Sequence, residues 1–304
     1  DRSGLGATCG AAALALGLGL AFSGTIAAKA EGDLYADEVV LSRSSHYQRI
    51  VLTRWHDDWR LFLNGHLQFS SKDEYRYHES LVHPALSGHP SPRHVLILGG
   101  GDGLGAREVL RDPRVEKVTL VDLDPEMTKL FSKNEALSKL NGGSLRDPRV
   151  ELINADGYRW LEQNSERRFD AAIVDFPDPS NYAVGKLYST TFYRILRRRL
   201  APGGLVAVQA TSPLFARRSF WTVVATMEAA GFSAHPYHAY VPSFGEWGFV
   251  VGATTAPYRI PDRLPPGLRY LTPVVLRALF QFPTDMARVP VSPNRLDTQV
   301  LVQL

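Results

Sequence analysis

Five carboxylates and one amide stand where apolar runs give out into loops. Asp102 follows the run 94–99, Asp122 ends 117–121, Asp156 follows 150–154, Asp175 and Asp178 follow 170–174, and Gln209 ends 204–209. Read as strands of an open α/β sheet, these runs bring all six groups to one edge, because ligands in such sheets bind outside the carboxyl ends of the strands. No Lys or Arg is expected among them. A dinucleotide or another phosphate ligand would need its charge neutralised there. An acidic edge suits a cationic ligand that carries a nucleoside. Each acid taken singly also has a plain reading as a helix cap; the convergence is what points to chemistry.

The stretch that must position them is 94–105. An apolar run ends in Gly99-Gly100-Gly101-Asp102-Gly103, and a helix-forming segment follows. Strand, glycine turn and helix in that order open a nucleotide-binding βαβ unit. Gly99 and Gly101 serve it by adopting backbone angles that a Cβ forbids and by letting a ligand approach the main chain. Asp122 comes 23 residues after Gly99, at the tip of the second strand. An acid there can accept hydrogen bonds from both ribose hydroxyls. Asp102 lies where the glycine loop would meet the tail of an S-adenosylmethionine-type ligand. It would repel the carboxylate of the ordinary methyl donor and attract the lone ammonium of a decarboxylated one.

Around this centre, strands at 94–99, 117–122, 150–154, 170–176 and 204–210 alternate with helical segments, and 247–253 is expected to close the sheet. The fold class is α/β: a Rossmann-like, doubly wound, mostly parallel sheet of the methyltransferase-like kind, over 73–253. Residues 31–72 read as a small antiparallel β domain with strands near 39–41, 49–53 and 60–63, and Asn64-Gly65 is a hairpin turn signal. A helix is expected over 73–86. Residues 254–304 form a Pro-rich tail with one helix near 273–280. The first thirty residues carry no charge from Ser3 to Ala28. They read either as a signal peptide ending near Ala28-Lys29-Ala30 or as a transmembrane helix; the length and the short charged start favour the helix. Lys29, Arg43, Arg49 and Arg54 after it place the rest of the chain on the cytoplasmic side.

Composition narrows the classes. Hydrophobic content of 44% and charge of 21% suit a globular chain, and a net charge of +3 gives no basic surplus for nucleic acid. The single Cys9 excludes an internal disulfide and a multi-cysteine metal site. No His/Asp/Glu group has metal-ligand spacing. Arg197-Arg198-Arg199 reads as the solvated end of a helix. His56, His66, His94, His235 and His238 read as surface or packing residues, and Ser70, Ser71 and Ser212 lack the partners of a hydrolase.

Four segments resemble the polyamine aminopropyltransferases (spermidine synthase and relatives): Gly99 to Gly103, Asp73-Glu74-Tyr75-Arg76-Tyr77-His78-Glu79, Val174-Asp175-Phe176-Pro177-Asp178-Pro179, and Ala201-Pro202-Gly203-Gly204. With the apolar start and the Pro-rich tail, the chain looks most like the membrane-bound bacterial branch. The resemblance implies aminopropyl transfer from decarboxylated S-adenosylmethionine, a co-substrate rather than a prosthetic group, to a di- or polyamine, putrescine first. It implies donor contacts at Gln48, Gly99, Gly101, Asp102, Asp122, Asp156 and Gly157, with Asp156-Gly157 on the adenine. Acceptor contacts fall at Gln68, His78, Asp178, Gln209 and Tyr240; apart from the resemblance, Glu246 is a further candidate for contact with a distal acceptor amine. Asp175 and Tyr77 are the catalytic pair. No metal is implied; a dimer or tetramer is, in a bacterial inner membrane with the catalytic domain in the cytoplasm. Phe176-Pro177, Leu104-Gly105 and the long segment 240–249 depart from the usual pattern and bear on the acceptor.

The chemistry agrees with that assignment. Transfer is attack by an amine nitrogen on a methylene beside a sulfonium, with methylthioadenosine leaving. A free alkylamine has a pKa of about 10, so a carboxylate must take its proton, and Asp175 is assigned that role. Two alternatives stand beside it: an S-adenosylmethionine-dependent methyltransferase, and a non-catalytic, membrane-tethered polyamine-binding domain.

Overall fold

The computed structural model describes residues 34–255 and 257–304; the expected span over 1–30 and Cys9 lie outside them. No helix among the described residues is long and apolar enough to cross a membrane. The chain forms two compact units. Among the described residues, one contains 34–44 together with Gln48–Ser70, the other Ser45–Tyr47 together with Ser71–Leu304.

The first unit is an antiparallel meander, β1 (Glu38–Ser44), β2 (Arg49–Trp55), β3 (Asp58–Leu63) and β4 (His66–Ser70), paired in sequence order. Ile50, Leu52, Leu61 and Phe69 form its core. Asn64 and Gly65 both take positive φ, the geometry of a two-residue hairpin turn. That turn requires β4, which the sequence pattern does not mark because His66 and Gln68 leave only a short apolar signal. The Asp58 carboxylate, buried here, accepts from Ser70 Oγ at 2.8 and 3.0 Å and pairs with Arg60.

The second unit holds a mixed sheet of seven strands. They are β5 (His94–Gly99), β6 (Lys117–Asp122), β7 (Val150–Asn154), β8 (Phe169–Asp175), β9 (Leu200–Gln209), β10 (Ser233–Val241) and β11 (Gly245–Ala253), in the spatial order β10-β11-β9-β8-β5-β6-β7. The strands β5 to β9 run parallel, and β11 and β10 are antiparallel to their neighbours. The expectation that 247–253 would close the sheet is corrected: β11 lies inside, and β10 is the edge. Pro236, His235 and His238 mask β10 in the sequence, yet a proline is tolerated on an edge strand, where one ladder N–H is not needed. From β5 the chain fills one side of the sheet and then crosses to β8 on the other, so a crevice opens between the carboxyl ends of β5 and β8. Gly99 and Asp175 face each other across that pair.

The Glu74–Gly88 helix packs on this sheet and is buried along most of its length. Pro84 within it cannot donate to Ser80 O, and the Tyr237 hydroxyl from β10 donates to that carbonyl at 2.8 Å instead. Glu79 on the same helix is fully buried and accepts from the backbone N–H groups of Arg269, Tyr270 and Leu271 at 2.7–2.9 Å, anchoring the tail. Arg269 stacks on Tyr75, and Arg76 on Tyr270. The tail carries its expected helix (Pro273–Leu279) and a short second one (Val300–Gln303). Arg197, Arg198 and Arg199 do end a helix, Thr190–Arg199, but two of them are not simply solvated. Arg197 donates to Thr254 O, and Arg199 to Leu161 O and Ser165 O.

Candidate active site

The glycine turn leaves β5 with Gly99 and Gly100 at φ +80° and +66°, then enters the Leu104–Leu110 helix through Gly103 at +77°. Gly101 matters for space: a Cβ on it would stand 2.6 Å from the Asp122 carboxyl carbon. Its N–H instead donates to Asp122 Oδ2 at 3.0 Å, and Asp124 N donates to Oδ1 at 2.8 Å. Burial raises the Asp122 pKa to about 6 against those two bonds. Asn141 and Ser144 support the turn from outside, donating to Asp102 O and Gly103 O at 2.8 and 2.6 Å.

Asp102 and Asp175 lie at the crevice. Burial lifts the Asp102 pKa to about 6, opposed by His78 and reinforced by the Asp175 charge. Burial also raises Asp175, which His78 and Tyr77 offset in part. The Tyr77 hydroxyl donates to Asp175 Oδ1 at 2.6 Å, a length typical of a charge-assisted bond. Phe244, Trp247 and Phe249 surround the Tyr77 ring, with centroids 5.4–6.5 Å away.

His78 is a buried cation among these acids. Burial disfavours its charged form, but Glu74, then Asp102 and Asp175, overcome that and raise its pKa to about 9. Its Nδ1 donates to Glu74 Oε2 and Glu74 O, both at 2.8 Å. Arg107 grips the same Glu74 carboxylate with both terminal nitrogens at 2.9 and 3.0 Å. Burial would raise the Glu74 pKa, and these two partners more than reverse it. Glu74 lies within the 73–79 motif, where the resemblance implies no role for it. The i, i+4 spacing to His78 on one helix face was the signal available for it; Arg107 left none.

Asp178 is held separately. It accepts from Gln209 Nε2 at 3.3 Å and from Thr211 Oγ1 at 3.1 Å. Gln209 also donates to Phe176 O and to the Tyr188 hydroxyl. Thr211 takes φ +61°, a costly conformation for a β-branched residue, and its N–H donates to Gln209 Oε1. Sequence reasoning missed Thr211 and Tyr188, since neither belongs to a spaced pattern.

One expectation changes, and other expected site residues have partners of their own. Lys186 Nζ pairs with Asp156 Oδ2 at 2.8 Å, so the acidic edge does contain a lysine. Asp156 also caps the Gly157–Gln163 helix by accepting from Arg159 N, the plain reading of that acid. Burial opposes its ionisation, but Lys186 and the capping amides lower its pKa overall. Glu246 turns to His238, whose Nδ1 lies 2.8 Å from Oε2, because the two side chains sit on neighbouring antiparallel strands. Tyr240 is half exposed, and its carbonyl accepts from Arg76. Gln48 and Gln68 belong to the first unit, Gln68 on β4 with its amide donating to His66 O. Beyond Asp122, a cavity of about 450 Å³ is lined by Tyr47, Leu123, Ala155, Asp156, Arg159, Trp160 and Gln163.

Known proteins resemble the chain in both sequence and fold. A family model described as the spermine/spermidine synthase domain matches residues 74–258. A polyamine aminopropyltransferase of Leptospira interrogans is 52% identical over 286 residues, covering 94% of this chain and 57% of that protein. Polyamine aminopropyltransferase 2 of Ralstonia nicotianae is 54% identical over 97% of this chain and 57% of its own length. The chain thus spans somewhat over half the length of these relatives. Among solved structures, a spermidine synthase in complex with the transition-state analogue AdoDATO superposes with a TM-score of 0.75 at 27% identity, covering 81% of this chain and 86% of that one. The Thermotoga maritima spermidine synthase gives 0.72 at 25%, covering 81% and 85%.

Proposed function

Because the chain belongs to the spermine/spermidine synthase family, we propose that it transfers an aminopropyl group from decarboxylated S-adenosylmethionine to a diamine, putrescine first, releasing methylthioadenosine. The observation that carries this reading is the pairing of Tyr77 with Asp175 beside a second acid, Asp102, whose charge no Lys or Arg side chain among the described residues is seen to pair. The ammonium end of the donor lies against Asp102, where a carboxylate would be repelled. The ribose hydroxyls meet Asp122, and the base extends toward the cavity beside Leu123 and Ala155. Asp178 and Gln209 hold the acceptor amine. Tyr77 keeps one oxygen of Asp175 engaged and leaves the other for the attacking nitrogen, whose proton Asp175 takes as the new C–N bond forms and the C–S bond breaks. In-line positioning of two bound reactants supplies most of the acceleration. Membrane attachment through 1–30, a cytoplasmic catalytic face and a dimer or tetramer belong to the same reading; fractionation of expressing cells and sedimentation of the chain test them.

The deciding experiment gives the purified chain decarboxylated S-adenosylmethionine with putrescine, cadaverine, agmatine, spermidine or no amine, and reads products by mass spectrometry. One added aminopropyl group with stoichiometric methylthioadenosine is expected. Binding of ordinary S-adenosylmethionine in preference to the decarboxylated donor would overturn the assignment in favour of a methyltransferase.

A further inference from the structure

The tail beyond residue 258 lies outside the matched family domain, yet one of its residues reaches the segment that comes after the two acceptor-side acids. Asn294 is fully buried. Its Nδ2 donates to Gly185 O and Tyr188 O, both at 3.1 Å. Its Oδ1 accepts from Leu301 N at 3.4 Å, its N–H donates to Thr226 Oγ1 at 2.8 Å, and its carbonyl accepts from Thr190 N at 2.9 Å. One side chain therefore ties the tail to both ends of the turn 185–188. Close approach is built in as well: a Cβ on Gly185 would collide with Gln299 and Val302 of the tail.

The turn leads on to the acids. The Tyr188 ring is fully buried, and its hydroxyl donates to Phe176 O and Pro177 O at 3.1 and 3.2 Å, the two carbonyls between Asp175 and Asp178. The same hydroxyl accepts from Gln209 Nε2 at 2.7 Å, and Gln209 reaches Asp178. We infer that Asn294 is a positioning residue for the acceptor site: through Tyr188 it fixes the backbone that sets the spacing of Asp175 and Asp178. The inference rests on the aminopropyltransferase reading for its kinetic consequence, and on the hydrogen bonds alone for its structural one.

Asn294→Asp tests it, since the shape and the Leu301 contact remain while two N–H donors become an oxygen facing two carbonyls. Tyr188→Phe tests the far end of the same connection. In both variants KM for the amine is expected to rise about tenfold or more while KM for the donor stays within about twofold, because a shift of well under ~1 Å at one substrate suffices for such a loss. Hydrogen exchange of peptides covering 176–189 should quicken in Asn294→Asp and stay unchanged over 94–105. Unchanged amine KM in active, folded variants, or KM rising equally for both substrates, overturns the inference. Should Asn294→Asp not fold, Tyr188→Phe decides alone by the same split. A wild-type chain that makes no methylthioadenosine removes the catalytic reading instead; the exchange measurement then still decides whether Asn294 fixes the segment.

Discussion

Asp175 and Asp102 carry the same functional group in the same crevice, and their surroundings separate their tasks. Asp175 has Tyr77 on one oxygen, so it is oriented; the Asp102 carboxylate accepts from Leu104 N at 2.9 Å and keeps capacity for a cation. Asp175→Asn is expected to lower kcat roughly 10²–10⁴-fold with donor affinity nearly unchanged, read by methylthioadenosine release against calorimetric donor binding. Tyr77→Phe leaves the acid but frees it to rotate, and is expected to lose about tenfold in kcat, with recovery in no other aromatic variant. Asp102→Asn should do the opposite of most binding-site changes. It removes a carboxylate held in an unfavourable environment, so the ligand-free protein should gain on the order of 1–2 kcal/mol at about pH 8 while donor binding collapses. A thermal melt alongside a binding isotherm measures both; a destabilised Asn variant would contradict the account of Asp102.

At the scale of elements, β5, β6, β8 and their acids were legible because each strand is a buried apolar run ending in a loop with a chemically distinctive group. What escaped were elements whose cause is not local. β4 and β10 have mixed sequences and exist because β3 and β11 need partners. Lys186 meets Asp156 across 30 residues, and the Glu79 carboxylate finds its three amides about 190 residues away. No spacing rule reaches so far. The Glu79 anchor is expected to matter in proportion: Glu79→Ala removes the acceptor of three backbone N–H groups, that of Leu271 buried, and should cost about 2 kcal/mol or more. Urea unfolding measures it, and proteolysis should then cut first near 265–272. A loss below about 1 kcal/mol would mean the tail is held by Arg269 and Arg76 on their rings instead.

For the whole molecule, charge at the crevice sets a pH dependence whose sign comes from direction alone. His78 has its pKa raised from 6.5 to about 9, so the stability it contributes is complete below 6.5 and fades as pH rises through 9. Asp102 and Asp122 are raised from 3.8 to about 6, so theirs is complete below 3.8 and fades as pH rises through 6. Glu108 runs the other way: burial opposes it, but His83, Arg107 and Arg111 hold it at about 2, and its contribution is present above 4.5 and lost as pH falls through 2. The ligand-free chain should therefore melt at a higher temperature at about pH 5 than at about pH 9, and a cationic donor should narrow that gap. A melting curve flat between those values would show that the crevice acids are not ionising as a buried set.

Pro84 and Tyr237 carry a consequence for descent. The proline withholds an amide from Ser80 O, and the tyrosine on a distant strand supplies the missing donor. Neither residue is then free to drift alone. Among related chains, a hydroxyl at the position of Tyr237 should persist wherever proline occupies that of Pro84, and phenylalanine should become acceptable there only after the proline is gone. The order of substitution is thereby constrained: Tyr237→Phe should be costly in this background and close to neutral once Pro84→Ala has restored the helix's own amide, a history that a double-mutant cycle can replay.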